Sequence, residues 1–172
     1  KGLEFPAHDP RAGSTMALAY ATSTRGACHL RATFYKPELA GMVDPEVIRG
    51  KAEIFTEWED RLVIFDTMIL CRFYRDFYQW EQLEELVCLV SGIEMSKEEL
   101  RSLAAEVIND TRRFNLQEGL TADDDKLPRR FHEQALPETG AVVSEKDYQT
   151  MLMEYYQARG WDENGVPLDS GR

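Results

Sequence analysis

The feature that most constrains the fold is a helix start at Ser96–Glu99, followed by a long run of helical apolar spacing. Ser96 caps the helix and Glu99 reaches back to it, which makes a capping box. Small or apolar side chains then recur with helical spacing at Leu100, Leu103, Ala104, Val107, Ile108, Thr111 and Phe114. This pattern buries one stripe of a helix, so it predicts a fold built on helix packing.

The other segments also read as helices separated by turns. We expect helices over an alanine-rich stretch at 14–23, from Asp44-Pro45 to Phe65, and over 80–90 up to Gly92. The second of these places five side chains towards the core: Val47, Phe55, Trp58, Leu62 and Phe65. Asp44 would cap it, with proline at the first helical position.

A last helix is predicted from Ser144 to Gly160. One face of it carries Tyr148, Met151, Leu152, Tyr155 and Tyr156. Residues 35–45 read as a loop, and so does the polar stretch from Gly119 to Arg130. No stretch alternates with the two-residue period of a strand, so the predicted class is all-α, an irregular multi-helix domain.

The length of 172 residues is typical of one domain. We interpret the chain as a site-bearing segment at 1–43, a helical body at 44–160 and a tail at 161–172. No stretch approaches the roughly 20 apolar residues of a membrane span. The first residues lack both a leader pattern and an initiator methionine, which favours a piece of a longer protein.

The net charge of −11 argues against nucleic-acid binding, which requires a basic face. The charge is uneven, because residues 1–43 carry five basic side chains against three acidic ones. A cationic opening on an acidic domain suits an anionic ligand, and an uneven solvated surface is the alternative.

Three cysteines are present, Cys28, Cys71 and Cys88, and no Cys-x-x-Cys occurs. Three thiols cannot all pair, so a reducing cytoplasm is expected. Free cysteine is a frequent core residue, and a core thiol is the interpretation of Cys28 and Cys88. For Cys71 the residues alone leave both a core thiol and a ligand open.

The segment from Arg25 to Arg31 places His29 between two guanidinium groups. Arginine suits phosphate and conjugated heterocycles, and histidine suits proton transfer near neutral pH. On a helix, Arg25 and His29 would share a face. For this segment both an anion site and a surface cluster remain open.

The run Asp123–Asp125 lacks the spacing of a calcium loop, so it and His132 are interpreted as surface features.

In order along the chain, several segments resemble the aldehyde:ferredoxin oxidoreductase family. They are Lys1-Gly2-Leu3-Glu4 with Asp9-Pro10-Arg11, Tyr20–Leu30, Asp66–Cys71, Phe114-Asn115, Asp125–Arg129 and Arg159–Asp162. The resemblance covers nearly the whole chain and places it in the C-terminal helical domain of a longer enzyme. It implies aldehyde oxidation with ferredoxin as electron acceptor, on a tungsten (or molybdenum) bis-pterin beside a 4Fe–4S cluster.

The resemblance also implies roles for individual residues. Cys71 matches the fourth thiolate of the cluster, the other three lying upstream in a Cys-x-x-Cys-x-x-x-Cys segment outside this chain. Asp66 and Leu70 match pterin contacts, while Arg25 and Arg31 match positions near the pterin and its phosphate. His29 matches a histidine beside the metal.

One residue departs from the family pattern, since Ile69 stands where glycine is usual. Glycine normally serves close backbone approach or unusual dihedral angles. Two other functions are therefore considered: a same-family enzyme acting on another substrate, such as an aromatic acyl thioester, and a helical interaction domain without cofactor. The expected partners are ferredoxin or a related protein, the N-terminal and middle domains of the same chain, and a small aldehyde.

Overall fold

The structure is a computed structural model that describes residues 1–168. It confirms the all-α class, since no β-strand occurs in that range. Three short 3-10 helices cover Pro10–Ala12, Arg72–Tyr74 and Ala122–Asp125. The α-helices of this range are α1 Ser14–Thr22, α2 Tyr35–Leu39, α3 Lys51–Thr67, α4 Trp80–Ser91, α5 Lys97–Gln117, α6 Arg130–Glu133 and α7 Glu145–Arg159.

Helix α3 is the centre of the packing, with α5 and α7 against it and α4 against α5. One apolar cluster joins α1, α7 and the first half of α3. A second joins the end of α3 to α4 and the start of α5. Trp58 and Val63 of α3 pack against both clusters. The end of α3, which carries Asp66, is therefore held by packing against α4 and α5.

The predicted helix starts are confirmed where a side chain caps the helix. The Ser96 hydroxyl accepts from the Glu99 amide, and the Glu99 carboxylate accepts from the Ser96 amide. Ser144 accepts from the Asp147 amide in the same way at the start of α7. Gly92 and Gly160 end α4 and α7, both with left-handed backbones. The apolar face predicted for α7 is buried.

The predicted start of the helix at Asp44-Pro45 is wrong. Residues 44–50 form turns, and α3 begins at Lys51 after Gly50, whose φ is +76°. The Asp44 carboxylate accepts from the Glu46 amide and so closes a local turn. Val47 is consequently exposed, whereas Phe55, Leu62 and Phe65 are buried as predicted. The predicted loop at 35–45 contains the short helix α2.

The polar loop after Gly119 also differs from its predicted solvated form. Asp125 is fully buried and forms the centre of an ionic cluster, which we call the Asp125 cluster. Lys1 Nζ lies 2.6 Å from its carboxylate, and so do Arg112 Nη2 and the Tyr156 hydroxyl. The cluster joins the start of the chain to α5 and α7. Asp123 and Asp124 remain exposed, as the sequence predicted.

The tail packs as a loop through residue 168. Trp161 is buried and forms an isolated β-bridge with Pro167. The last four residues of the predicted tail, 169–172, lie outside the described part of the chain.

His132 of α6 is half-buried, and its Nδ1 lies 2.8 Å from the Val143 carbonyl.

Candidate functional site

Asp66 lies in the last turn of α3 and is held by two arginines. Arg72 donates to both carboxylate oxygens, at 2.6 Å and 3.2 Å. Arg31, from the turns after α1, donates to the same carboxylate. The structure therefore brings together two residues that the sequence singled out, Asp66 and Arg31, and adds Arg72.

Beyond Asp66 the chain leaves α3 through a Schellman motif. The Leu70 amide donates to the Phe65 carbonyl at 2.8 Å and the Ile69 amide to the Asp66 carbonyl at 3.1 Å. In this motif the residue after the helix C-cap takes a left-handed backbone conformation. Ile69 is that residue, with φ +57°. The Ile69 side chain is 92% exposed, so its surroundings leave it room. The requirement for glycine here comes from the dihedral angle.

Cys71 follows this turn with its thiol exposed. Its carbonyl accepts from the Tyr74 amide at 3.0 Å, and the residue precedes the 3-10 helix Arg72–Tyr74. Cys28 is buried and Cys88 is half-buried. Of the three thiols, Cys71 is thus the one presented outward. Because the Leu70 amide is committed to Phe65, a ligand contact by the Leu70 backbone would use its carbonyl.

Three arginines brace the loop at 69–79, which we call the Cys71 loop. Buried Arg61 of α3 donates to the carbonyls of Arg75 and Tyr78, both at 2.7 Å. Arg75 donates to the Arg72 carbonyl at 2.6 Å, and Arg72 reaches Asp66 as described. The loop is therefore tied to α3 at several backbone oxygens.

Four arginines of this region each keep a buried donor without a partner among the described residues. The atoms are Arg31 Nε, Arg61 Nη2, Arg72 Nη1 and Arg75 Nε. Burial lowers the pKa of Arg61 and of Arg72, because a guanidinium loses solvation there. Buried unpaired donors are rare in folded proteins, so such a group of them indicates a region suited to an acceptor-rich ligand.

The segment from Arg25 to Arg31 forms turns, so the idea that Arg25 and His29 share a helix face is wrong. Both residues nonetheless lie in one region. Arg25 donates to the Cys28 thiol at 2.9 Å. Burial raises the pKa of Cys28, but this hydrogen bond and two from the backbone more than offset it. The Arg25–Cys28 contact holds the turn before His29.

His29 is half-buried beside a second imidazole. Its ring centroid lies 5.5 Å from that of His8, and His8 stacks on Tyr35 at 4.5 Å. Burial is the main cause that lowers the pKa of His29, and the nearby His8, Arg25 and Arg75 add to it. Arg75 belongs to the Cys71 loop, so the charge of that loop acts on His29.

A cavity of about 140 Å³ opens next to the Arg31–Asp66 pair. Its walls come from α3, from α5 and from the turns after α1. It is lined by Thr24, Arg31, Glu59, Val63, Asp66, Thr67, Val107, Ile108 and Thr111. The carboxylate of Asp66 thus faces a small space that is partly apolar and partly polar.

Sequence reasoning missed Arg61, Arg72, Arg75 and His8. Arg61 and Arg75 donate to backbone oxygens of one loop, and Arg72 donates to the Asp66 carboxylate. Such contacts leave no regular spacing in the sequence. The one sequence signal for these arginines was that three of them occur between positions 61 and 75. His8 lies twenty-one positions from His29, and only folding brings the two rings together.

Within residues 1–168 no three His, Cys, Asp or Glu side chains are grouped so as to hold a metal ion. A cluster ligated by Cys71 would need thiolates from elsewhere. None of the helices in the same range is long and apolar enough to cross a membrane.

Comparison with known proteins places these features in a family. The family model described as aldehyde ferredoxin oxidoreductase, domains 2 and 3, matches residues 1–170. The tungsten-containing aldehyde ferredoxin oxidoreductases of Pyrococcus furiosus and Thermococcus kodakarensis are each 35% identical over 173 aligned residues, which is 96% of this chain and 28% of the relative. That of Pyrococcus horikoshii is 33% identical with the same coverage. The chain thus spans under a third of its relatives' length, and it belongs to the aldehyde ferredoxin oxidoreductase family.

Proposed function

We propose that this chain is the C-terminal helical domain of a tungsten-bispterin, 4Fe–4S enzyme that oxidises aldehydes to carboxylic acids. The observation that carries the proposal is the exposed Cys71 thiol on a braced loop directly after Asp66. A thiol kept for packing would be buried, as Cys28 is. Cys71 instead has the exposure that an iron ligand at a domain boundary requires.

The residues present fit the implied cofactors. Oδ1 of Asp66 accepts from Arg72 Nε, while the other two arginine donors reach Oδ2. A carboxylate offers about four lone-pair sites, so Asp66 can accept a further N–H from a pterin. The unpaired donors of Arg31 and Arg72 suit the oxygens of an anionic pterin.

Each residue of the site then has a defined task. Cys71 would hold the cluster through its thiolate, and Asp66 with the Leu70 carbonyl would orient the pterin. Arg31 and Arg25 place cationic donors near its phosphate. When bound, the tungsten group supplies the two-electron chemistry and the cluster carries electrons out one at a time. His29 holds or moves a proton at the reacting site.

The surface around Cys71 indicates where the partners of this domain would bind. Ile69, Phe73 and Phe77 flank Cys71 with exposed apolar side chains. We expect the remaining domains of the full chain to pack on this side, since the other cluster thiolates must come from there. Ferredoxin or a related protein would accept the electrons, a small aldehyde would be the substrate, and the enzyme would act in the cytoplasm.

The test compares two cysteines in the full-length enzyme. We expect Cys71→Ser to lose cluster iron, because a hydroxyl is a poor substitute for thiolate. Cys88→Ser is the matched control and should keep its iron, with a stability loss of about 1 kcal/mol from a half-buried hydroxyl. Iron and tungsten analysis, with an aldehyde oxidation assay, provides the readout.

Three results would contradict the proposal. Equal iron loss in both variants would remove the assignment of Cys71. A wild-type enzyme without iron and tungsten would favour the cofactor-free interaction domain. A wild-type enzyme that holds both metals but acts on an acyl thioester and on no aldehyde would favour the other substrate class.

A further inference from the structure

The proposed reaction leaves protons that must reach solvent. Aldehyde and water give a carboxylic acid, two electrons and two protons, and the electrons leave through the cluster. In the proposed function, on which the step below rests, His29 takes up one of these protons. That proton must then leave His29, which is a half-buried residue.

A second imidazole, that of the exposed residue His8, lies beside His29. The two ring centroids are 5.5 Å apart with planes tilted by 54°, and the residue His8 is exposed. At this separation a proton passes directly or across one water. Imidazole both gains and loses a proton near neutral pH, which suits a transfer group.

The position of His8 is fixed by two neighbours. Its ring stacks on Tyr35 with an interplanar angle of 20°. Its carbonyl accepts the Tyr20 hydroxyl at 2.8 Å. A freely moving surface side chain would sample many positions, whereas this one is held against His29.

The charges around His29 favour onward transfer. Burial lowers the pKa of His29, and the charges of Arg25 and Arg75 add to that effect. The adjacent carboxylate of Asp9 is bound to Arg11 through both oxygens, so it is committed elsewhere. A proton accepted by His29 is therefore held weakly.

We propose that His8 receives the proton from His29 and releases it to solvent, acting as a proton-transfer residue one step from the reacting atoms. In this step one N–H bond of the His29 imidazolium breaks and one N–H bond forms on His8. The His8 imidazolium then gives its proton to water or a buffer base, and both rings return to the neutral state. No electrons move in this step.

The experiment uses full-length holoenzyme and the variant His8→Gln. In dilute buffer we expect kcat for aldehyde oxidation to fall by about 10²-fold, the low end for acid–base groups, with KM unchanged. Adding free imidazole should restore the rate in proportion to its concentration, because a diffusible base replaces the missing ring. Iron and tungsten contents should stay normal.

His132→Gln is the matched control, since it removes a histidine that lies on the Val143 carbonyl instead of beside His29. It should keep the wild-type rate and show no response to imidazole. A His8→Gln enzyme with the wild-type kcat in dilute buffer would overturn the inference. So would a rate loss that imidazole does not relieve, because that result indicates a purely structural role. A wild-type enzyme with both metals and no aldehyde oxidation would overturn the proposed function and this inference together.

Discussion

Ile69 holds a backbone conformation that costs a β-branched residue about 1–2 kcal/mol. Its φ of +57° is imposed by the Schellman motif that ends α3. The same motif sets the direction in which Cys71 leaves the helix. The strain at Ile69 therefore accompanies a turn that fixes the position of Cys71, the proposed iron ligand.

Replacing Ile69 with glycine should stabilise the protein. Glycine removes the left-handed strain, and its greater freedom in the unfolded chain takes back part of the gain. We expect a net increase of about 0.5–1 kcal/mol in the free energy of unfolding, measured by denaturant titration.

Thr33→Gly is the control, because Thr33 shares the positive φ, at +50°, but is buried and donates to the Leu30 carbonyl. Its loss of contacts should outweigh the relief of strain, so this variant should be less stable. Destabilisation by Ile69→Gly would show that the exposed isoleucine contributes contacts of its own.

The residues of the site differ in how readily the sequence reveals them. Asp66 and Cys71 stand in a short motif, so resemblance to a family identifies them. Arg61 donates to carbonyls of the Cys71 loop, and Arg72 donates from that loop to Asp66. Both contacts depend on a loop shape that only the fold supplies. His8 becomes visible only when the first segment of the chain lies beside His29.

Among the elements, the Cys71 loop depends most on α3. Arg61 is the link, since it holds two loop carbonyls and also lies over the Trp58 ring at 4.7 Å. Charge-assisted hydrogen bonds of this kind contribute about 1.5–3 kcal/mol each in favourable cases. The loop should therefore loosen if Arg61 is shortened to a neutral side chain.

We expect Arg61→Gln to raise amide exchange in the Cys71 loop by at least about tenfold, since losing a charge-assisted hydrogen bond costs that much protection. The amides to follow are those of Tyr74 and Phe77, which bond within the loop at 3.0 Å and 2.9 Å. Arg101→Gln, on the more exposed ion pair with Asp60, is the control and should leave these amides unchanged. Unchanged exchange in Arg61→Gln would show that the loop needs no brace.

Helix ends were predictable where a local side chain sets them. Ser96 and Ser144 carry their caps within three residues, and Gly160 supplies a left-handed end. The start of α3 was not predictable in this way, because Asp44 closes a turn and Gly50 provides the actual entry. An Asp-Pro motif alone thus indicates that the chain turns. Whether a helix starts there depends on the tertiary packing.

At the scale of the whole molecule, the Asp125 cluster fastens the first residue of the chain to α5 and α7. Burial is the main cause that lowers the pKa of Lys1, and its ion pair with Asp125 opposes that shift. Arg112 and Tyr156 complete the contacts of the carboxylate. Buried ion pairs are costly to break from one side, because the partner charge stays buried.

Asp125→Asn should therefore lower the free energy of unfolding by about 3–5 kcal/mol. Asp123→Asn, at an exposed pair with Lys126, should change it by less than about 0.5 kcal/mol. Urea unfolding followed by circular dichroism measures both. Similar losses in the two variants would mean that Lys1 and Arg112 find other partners once Asp125 is neutral.

Arg61 and Arg75 hold the Cys71 loop without the help of any bound group. The shape of the Cys71 loop is set by guanidinium-to-carbonyl bonds within the polypeptide. In the enzyme proposed above, this loop would thus take its shape before the cofactors bind, and their insertion would not have to order it.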